Sequence, residues 1–291
     1  MSEPDFLSTA RIAIIGLGLM GGSLALALRD RCQSLLGCDR DPGTLELAHQ
    51  QNLFEMISRD PAEILPGADV VILATPLNTI LDLIPQLPDM HPGSPIVLDL
   101  GSTKVKVVQA LESLPPRFDP LGGHPMCGKE TVGLENAEAA LFQGATFVFT
   151  SLERSSGKAR NFAEQLAAAV GSHPLWIDPE THDQWSAATS HLPYLVAAAL
   201  AASAPAQSKP LVGPGFRSTT RIAATPANIM LDVMETNQEN IVAHLDRFKK
   251  QLDNFEALLS SGEYAALNLS LNESAEKQRN MAAKPGRGEA L

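Results

Sequence analysis

The stretch Gly122-Gly123-His124-Pro125 sets an imidazole between two glycines and a proline. Imidazole titrates close to neutral pH, so His124 can take the proton of an alcohol while hydride leaves the same carbon. The glycines allow close approach, and Pro125 fixes the backbone after the histidine. A second stretch, Gly16-Leu-Gly18-Leu-Met20-Gly21-Gly22-Ser23, has the spacing G-x-G-x-x-G. In that pattern Gly16 permits the tight turn, Gly18 lets the backbone approach a pyrophosphate, and Gly21 lets the next helix pack closely on the strand. Met20 sits inside the loop and is grouped with these cofactor contacts. The helix start supplies unpaired N–H groups and a positive dipole end for the phosphates. Asp39, 21 positions after Gly18, falls where a carboxylate binds the ribose 2′-hydroxyl. It would repel a 2′-phosphate, so NAD is the expected cofactor, and Arg40 beside it leaves NADP open. Thr75-Pro76 closes another apolar run and is a further cofactor contact, although a proline that merely stops a strand gives the same pattern. Asp99-Leu-Gly101-Ser102-Thr103-Lys104 is one more polar strand end expected to open on the same crevice.

Positioning these residues takes a sheet with helices on both faces. Apolar runs at 11–15, 35–39, 70–74, 96–100, 146–150 and 174–178 alternate with helical spacing at 23–29, 42–50 and 103–111. Runs apolar on both faces read as a parallel sheet, so residues 10–178 are expected to form a doubly wound, Rossmann-type α/β domain. Another strand is placed near 118–122, against the presence of Pro115, Pro116 and Pro120. After Pro179 strand-like alternation ends. Residues 184–203 are Ala-rich, and 228–260 carry long helical periodicity from Ile229 to Leu258. Residues 179–278 are therefore expected to be an all-helical domain, broken at 203–215 by Pro205, Pro210 and Pro214. Its apolar residues cover more faces than about 100 residues can bury, which points to a second copy of the chain as partner. Residues 279–291 are expected to be a disordered tail. Trp176 and Trp185 are expected to pack between the domains, His173 to lie on the surface, and His182 with Asp183 to cap a helix.

The stretches 16–23, 99–104 and Gly123-His-Pro-Met-Cys-Gly128, with Ser190-His191-Leu-Pro193 and Gly215-Phe-Arg217-Ser-Thr-Thr-Arg221-Ile222, occur in one order. Together they resemble the prephenate/arogenate dehydrogenase family of tyrosine biosynthesis. The resemblance implies oxidative decarboxylation of a cyclohexadienol that carries a ring carboxylate. His124 matches the residue that accepts the hydroxyl proton, and Ser102 the one that orients hydroxyl and histidine. Arg221 matches an arginine that binds a substrate carboxylate, a task suited to a permanently charged, bidentate guanidinium. Arg217 is close by and could instead serve a salt bridge. His191 matches a histidine at the substrate end and could equally cap a helix. Glu130 sits where some members carry a pocket acid. Cys127 is read as a small lining residue, and Lys104 as a solvated helix cation. The expectation is that the imidazole of His124 and a buried guanidinium at Arg221 face one cavity beside the nicotinamide.

Composition narrows the field. The 291 residues include 22 Lys+Arg and 33 Asp+Glu, a net charge of −11, and 44% hydrophobic residues. That hydrophobic content suits a folded chain, and the acidity argues against nucleic acid or anionic lipid as partner. No apolar run approaches the roughly 20 residues of a membrane span. Three cysteines (Cys32, Cys38, Cys127), no metal-like pair and an acidic N-terminus without a leader pattern point to the cytoplasm. The rival readings are a β-hydroxyacid-type dehydrogenase, which shares the first glycine loop, and a non-catalytic dinucleotide-sensing module.

Overall fold

The computed structural model describes residues 5–282. Eight strands form one sheet: β1 (Arg11–Ile15), β2 (Ser34–Cys38), β3 (Met56–Ser58), β4 (Val70–Leu73), β5 (Ile96–Asp99), β6 (Asp119–Pro125), β7 (Thr146–Ser151) and β8 (His173–Trp176). Their order is β3-β2-β1-β4-β5-β6-β7-β8. This is the doubly wound arrangement that the alternation of runs and helices implied. Successive strand residues bury on opposite faces: Ile12, Ile14, Val70, Ile72 and Leu98 enter one core, and Ala13, Ile15, Val71, Leu73 and Val97 the other. The period of two explains why the runs are apolar throughout.

Two features depart from the expected parallel sheet. β7 runs antiparallel to β6. The chain between them, 126–145, carries only 3-10 turns and no crossover helix, so it returns beside β6 in the opposite sense. The short strand β3 was not anticipated; it pairs with β2 alone and its three residues carry no clear alternation. β6 itself is a seven-residue interior strand despite its prolines. Pro120 is tolerated because β7 pairing begins only at Leu121, and the Pro120 carbonyl on that side accepts from Ser155 Oγ at 2.7 Å.

Beyond residue 178 the described chain is helical: Pro179–Ser186, Leu192–Ser203, Pro214–Thr220, Ala227–Thr236, Gln238–Ser261 and Tyr264–Ala282. A π-helical turn, Ala187–His191, precedes Pro193, and a 3-10 turn, Ala206–Leu211, lies within the expected loop. By packing, one compact unit runs through Ile241, since helices after 178 pack on the strand ends, and a second begins at Val242. In the second unit, Val242, Leu252, Leu259, Tyr264, Leu269, Leu271 and Met281 are exposed. Its last helix continues through Ala282, so the expected tail from 279 is helical for its first four residues, and the rest lies outside the described residues. Trp176 packs on Phe149 within the sheet layer, and Trp185 is exposed, so neither joins two domains. His173 is on the surface as expected. Among the described residues no helix is long and apolar enough to cross a membrane.

Candidate active site

The carboxyl ends of β1, β2, β4 and β5 are level in register, and two cavities open beyond them. Gly16 has φ +94°, and a Cβ there would lie 2.7 Å from the Ala74 carbonyl, so only glycine fits the turn. The helix Leu19–Leu28 begins at Gly18 without a side-chain cap. Helices starting at Pro42, Pro61, Gly157 and Pro179 are each capped by an Asp or Ser. The uncapped start leaves its first-turn N–H groups for an anion. One cavity, about 380 Å³, is lined by Gly16, Gly18, Asp39, Arg40, Arg59 and Thr75 among others. Asp39 Oδ2 accepts from Leu17 N (2.8 Å) and Oδ1 from Asp41 N (2.9 Å), which fixes the carboxylate while each oxygen keeps a second lone pair.

The second cavity, about 390 Å³, is lined by Gly18, Met20, Thr75, Ser102, residues of the 128–133 loop other than Glu130, and Thr225, Ile229, Met230 and Val233 among others. Thr75 lines both cavities, and its Oγ1 is buried without a partner. A buried hydroxyl left unpaired carries a desolvation penalty that a bound polar ligand would remove. Pyrophosphate on the helix start, ribose on Asp39 and a polar group on Thr75 fit a dinucleotide spanning both cavities.

His124 lies three residues past Leu121, the register partner of Leu98, so it stands beyond the end of β5 while still pairing with Val148 of β7. It is half-buried. The preceding Gly123 is required by packing: a Cβ would lie 2.7 Å from the Asp99 carbonyl. The close approach served by the two glycines is thus strand against strand. Beneath the histidine, Lys104 is fully buried. It forms an ion pair with Asp99 and donates to the Gly123 carbonyl at 2.6 Å. Asp99 also accepts from Gly101 N (2.8 Å) and Gly123 N (3.1 Å). Burial pushes the Asp99 carboxyl up and the Lys104 ammonium down, each opposed by the other's charge. The reading of Lys104 as a solvated cation is therefore corrected: it ties the loop before the helix Val105–Glu112 to the histidine's own strand.

His124 Nδ1 is 2.8 Å from His182 Nε2, and His182 Nδ1 is 2.7 Å from Asp183 Oδ1. Asp183 also accepts from Lys104 N at 2.6 Å and Val105 N at 2.9 Å. It does cap a helix, but that helix begins 78 residues earlier, and His182 caps none. Burial, reinforced by positive charge on His182, Lys104 and His191, holds the His124 imidazole well below its usual range. His191 is buried in the π-helical turn. It caps no helix; Asn237 Nδ2 approaches its Nδ1 at 3.2 Å and donates to the Asp183 carbonyl at 2.7 Å. Burial pushes His191 down to about 4, in keeping with a ring nitrogen that accepts.

The arginine end is built differently. Arg221 is 62% exposed and forms an ion pair with Glu130, whose neighbours Lys129 and Thr131 line the second cavity. The expected buried guanidinium is corrected on this point: the pair sits at the rim, and neither Arg221 nor His124 lines the two cavities. Arg217 is exposed and donates to the Val212 carbonyl at 3.3 Å. Burial raises the Cys127 thiol to about 11, as suits a lining residue and not a nucleophile. Among the described residues no cluster of His, Cys, Asp and Glu could hold a metal ion.

Sequence reasoning read His182 with Asp183 only as a helix cap and passed over Asn78, Asp232 and Asn237. Asn78 bonds Asp232 through its N–H (3.2 Å) and Nδ2 (3.0 Å), and Thr103 bonds Thr236 at 2.9 Å. These contacts hold the helix Ala227–Thr236 against the strand ends, so that it walls the second cavity. The partners are 133 and 154 positions apart, and no local pattern announces them.

Two family models match successive stretches of the chain. Residues 24–175 match the family model for the prephenate dehydrogenase nucleotide-binding domain, and residues 178–273 the model for the prephenate dehydrogenase dimerization domain. A prephenate dehydrogenase from Bacillus subtilis (strain 168) is 30% identical over 254 residues, covering 83% of this chain and 68% of that protein. A crystal structure of prephenate dehydrogenase from A. aeolicus in complex with hydroxyphenyl propionate and NAD+ has a TM-score of 0.86 at 28% identity. The match covers 94% of this chain and 99% of that one. The crystal structure of Synechocystis arogenate dehydrogenase has a TM-score of 0.80 at 28% identity, over 94% of this chain and 100% of the other.

Proposed function

This chain belongs to the prephenate dehydrogenase family, and we propose that it carries out the oxidative decarboxylation of prephenate, arogenate or both, with NAD as the preferred dinucleotide. It is an oxidoreductase of the prephenate/arogenate dehydrogenase type. The observation that carries the finer reading is His124, near the carboxyl end of β6, with one ring nitrogen tied to His182 and the other left for a substrate hydroxyl.

Gly16, Gly18, Met20, Gly21 and Thr75 would hold the dinucleotide, with Asp39 on the ribose hydroxyls. Asp39 favours NAD; Arg40, joined in the same cavity by Arg59, leaves NADP accessible. When bound, the nicotinamide accepts the hydride. The chain's own residues orient and hold charge. His124 accepts the hydroxyl proton as hydride departs, and Ser102, in the second cavity, orients the hydroxyl. Arg221 grips a substrate carboxylate in place of Glu130, with His191 and Arg217 as further substrate-side residues. Loss of CO2 makes the ring aromatic, which supplies the driving force, so positioning and charge stabilisation are the protein's share.

Residues 10–178 serve as the dinucleotide-binding part and 179–278 as the substrate and dimerisation part. The apolar residues exposed after Val242 are expected to meet a second copy of the chain. A cytoplasmic location agrees with three free cysteines. The test is turnover of prephenate and of arogenate, each with NAD and with NADP, followed by reduced dinucleotide, CO2 and aromatic product. At least one combination is expected to turn over. Failure of all four would overturn the reading.

A further inference from the structure

His124 is the first member of a chain of three side chains. The proton positions in that chain follow from its far end. Asp183 Oδ1 receives the Lys104 N–H and Oδ2 the Val105 N–H, so both oxygens act as acceptors and the group is a carboxylate. His182 Nδ1, 2.7 Å from Oδ1, therefore carries the proton and donates it. That leaves a lone pair on His182 Nε2, which takes the Nδ1–H of His124 at 2.8 Å; Ser186 Oγ approaches the same nitrogen at 3.3 Å. His124 Nε2 then bears the lone pair, the tautomer that a base requires on the side away from His182.

We infer that His182, anchored by Asp183, is a positioning residue that sets this tautomer and takes up the Nδ1 proton of His124 while Nε2 accepts the proton of the substrate hydroxyl. The inference rests on His124 being the base. In the forward direction the substrate O–H bond breaks and a bond to Nε2 forms. The Nδ1–H bond of His124 breaks and a bond to His182 Nε2 forms. His124 stays neutral with its tautomer reversed, and the positive charge lies on His182 beside Asp183. Hydride leaves the hydroxyl-bearing carbon for the oxidised nicotinamide in the same interval. When CO2 departs, the electrons of the broken C–C bond close the aromatic ring. Both protons then run back, restoring the phenolic O–H and the starting tautomer, so no proton is exchanged with solvent over the cycle.

The surroundings explain why a second imidazole is needed. The groups facing His124 are Lys104, paired to Asp99 on the β5 side, His191 from the π-helical turn, and His182 and Asp183 from the helix Pro179–Ser186. A positive charge held on His124 itself would be half-buried near the Lys104 ammonium, whereas one on His182 touches the Asp183 carboxylate.

Two measurements test this. Nitrogen-15 NMR of the native chain without ligands should find His124 protonated at Nδ1; protonation at Nε2 would overturn the inference, whatever any variant does. His182→Gln keeps an amide oxygen able to accept from His124 Nδ1 but cannot take the proton. Its expected behaviour is unchanged NAD affinity and KM, kcat lower by about tenfold or more, and an acid limb of kcat/KM moved to lower pH, because a proton can no longer lodge on His182. A residue that only supports packing would lower activity without moving that limb. Should His182→Gln match the parent in kcat and pH profile while His124→Asn is inactive, His124 stands as base and the inference falls. Should His124→Asn keep parental activity, the reading of His124 as base falls first.

Discussion

The two ends of the candidate substrate site are built on opposite principles. At the histidine end, His182, Asp183, His191, Lys104 and Asp99 are buried, and each is held by partners from distant parts of the chain. At the arginine end, an exposed guanidinium meets one glutamate at the rim. The contrast follows from what each end has to do. Charge that develops during reaction is best met by groups already fixed in a low-dielectric surrounding. A carboxylate arriving from water is better met by a solvated arginine whose partner can be displaced, since an exposed pair contributes only about 0–1 kcal/mol.

His124→Asn strikes the fixed end and should show the largest effect. Asparagine retains a polar group but cannot accept the proton, so kcat should fall by about 10²–10⁴-fold. NAD affinity should be nearly unchanged, because among the described residues no hydrogen bond joins the glycine loop to His124. Binding measured by calorimetry beside steady-state kinetics would check this. A proportionate loss of NAD affinity would mean that the two regions are not independent.

Lys104→Met asks whether the fixed end depends on its buried ion pair. The change leaves the Asp99 carboxylate buried with only the Gly101 and Gly123 N–H groups. Removing one partner of a buried pair typically destabilises by about 3–5 kcal/mol. A urea titration should show that loss, and the double variant Lys104→Met with Asp99→Leu should recover part of it. A loss below about 1 kcal/mol would show that solvent reaches the pair and that the end is not rigid.

The same contrast explains what could be read without coordinates. The glycine loop and the acid after β2 were legible because their signal is local: Gly16 and Gly18 lie in the turn after β1, Gly21 in the helix that follows, and Asp39 comes at a spacing set by one helix and one strand. The helical nature of the later part was legible from periodicity. The histidine chain was not, because His124, His182 and Asp183 meet only when β6 and the helix Pro179–Ser186 come together. Asp183 looks from its neighbours like an ordinary helix-capping acid, and it is one, for a helix far upstream. Lys104 was misread because sequence alone makes lysine a surface residue, and only the carboxylate at Asp99 allows its burial. The direction of β7 depended on the loop 126–145 lacking a helix, which its residues did not declare.

Arg221→Ala probes the open end and should act mainly on binding. Removing a charged hydrogen-bonding partner of a carboxylate is worth about 1.5–3 kcal/mol, or roughly 10–150-fold in KM, with kcat little changed. Glu130→Gln should do far less, because the pair it breaks is exposed; KM should change by less than about threefold, and toward tighter binding, since Arg221 no longer has to exchange one carboxylate for another. Raising ionic strength should narrow that small difference further, as screening weakens the pair in the parent enzyme. Kinetics of both variants at low and high salt would check the set. A large fall in kcat for either would place the rim pair among the groups that act on the transition state, and the division between a fixed and an adaptable end would have to be redrawn.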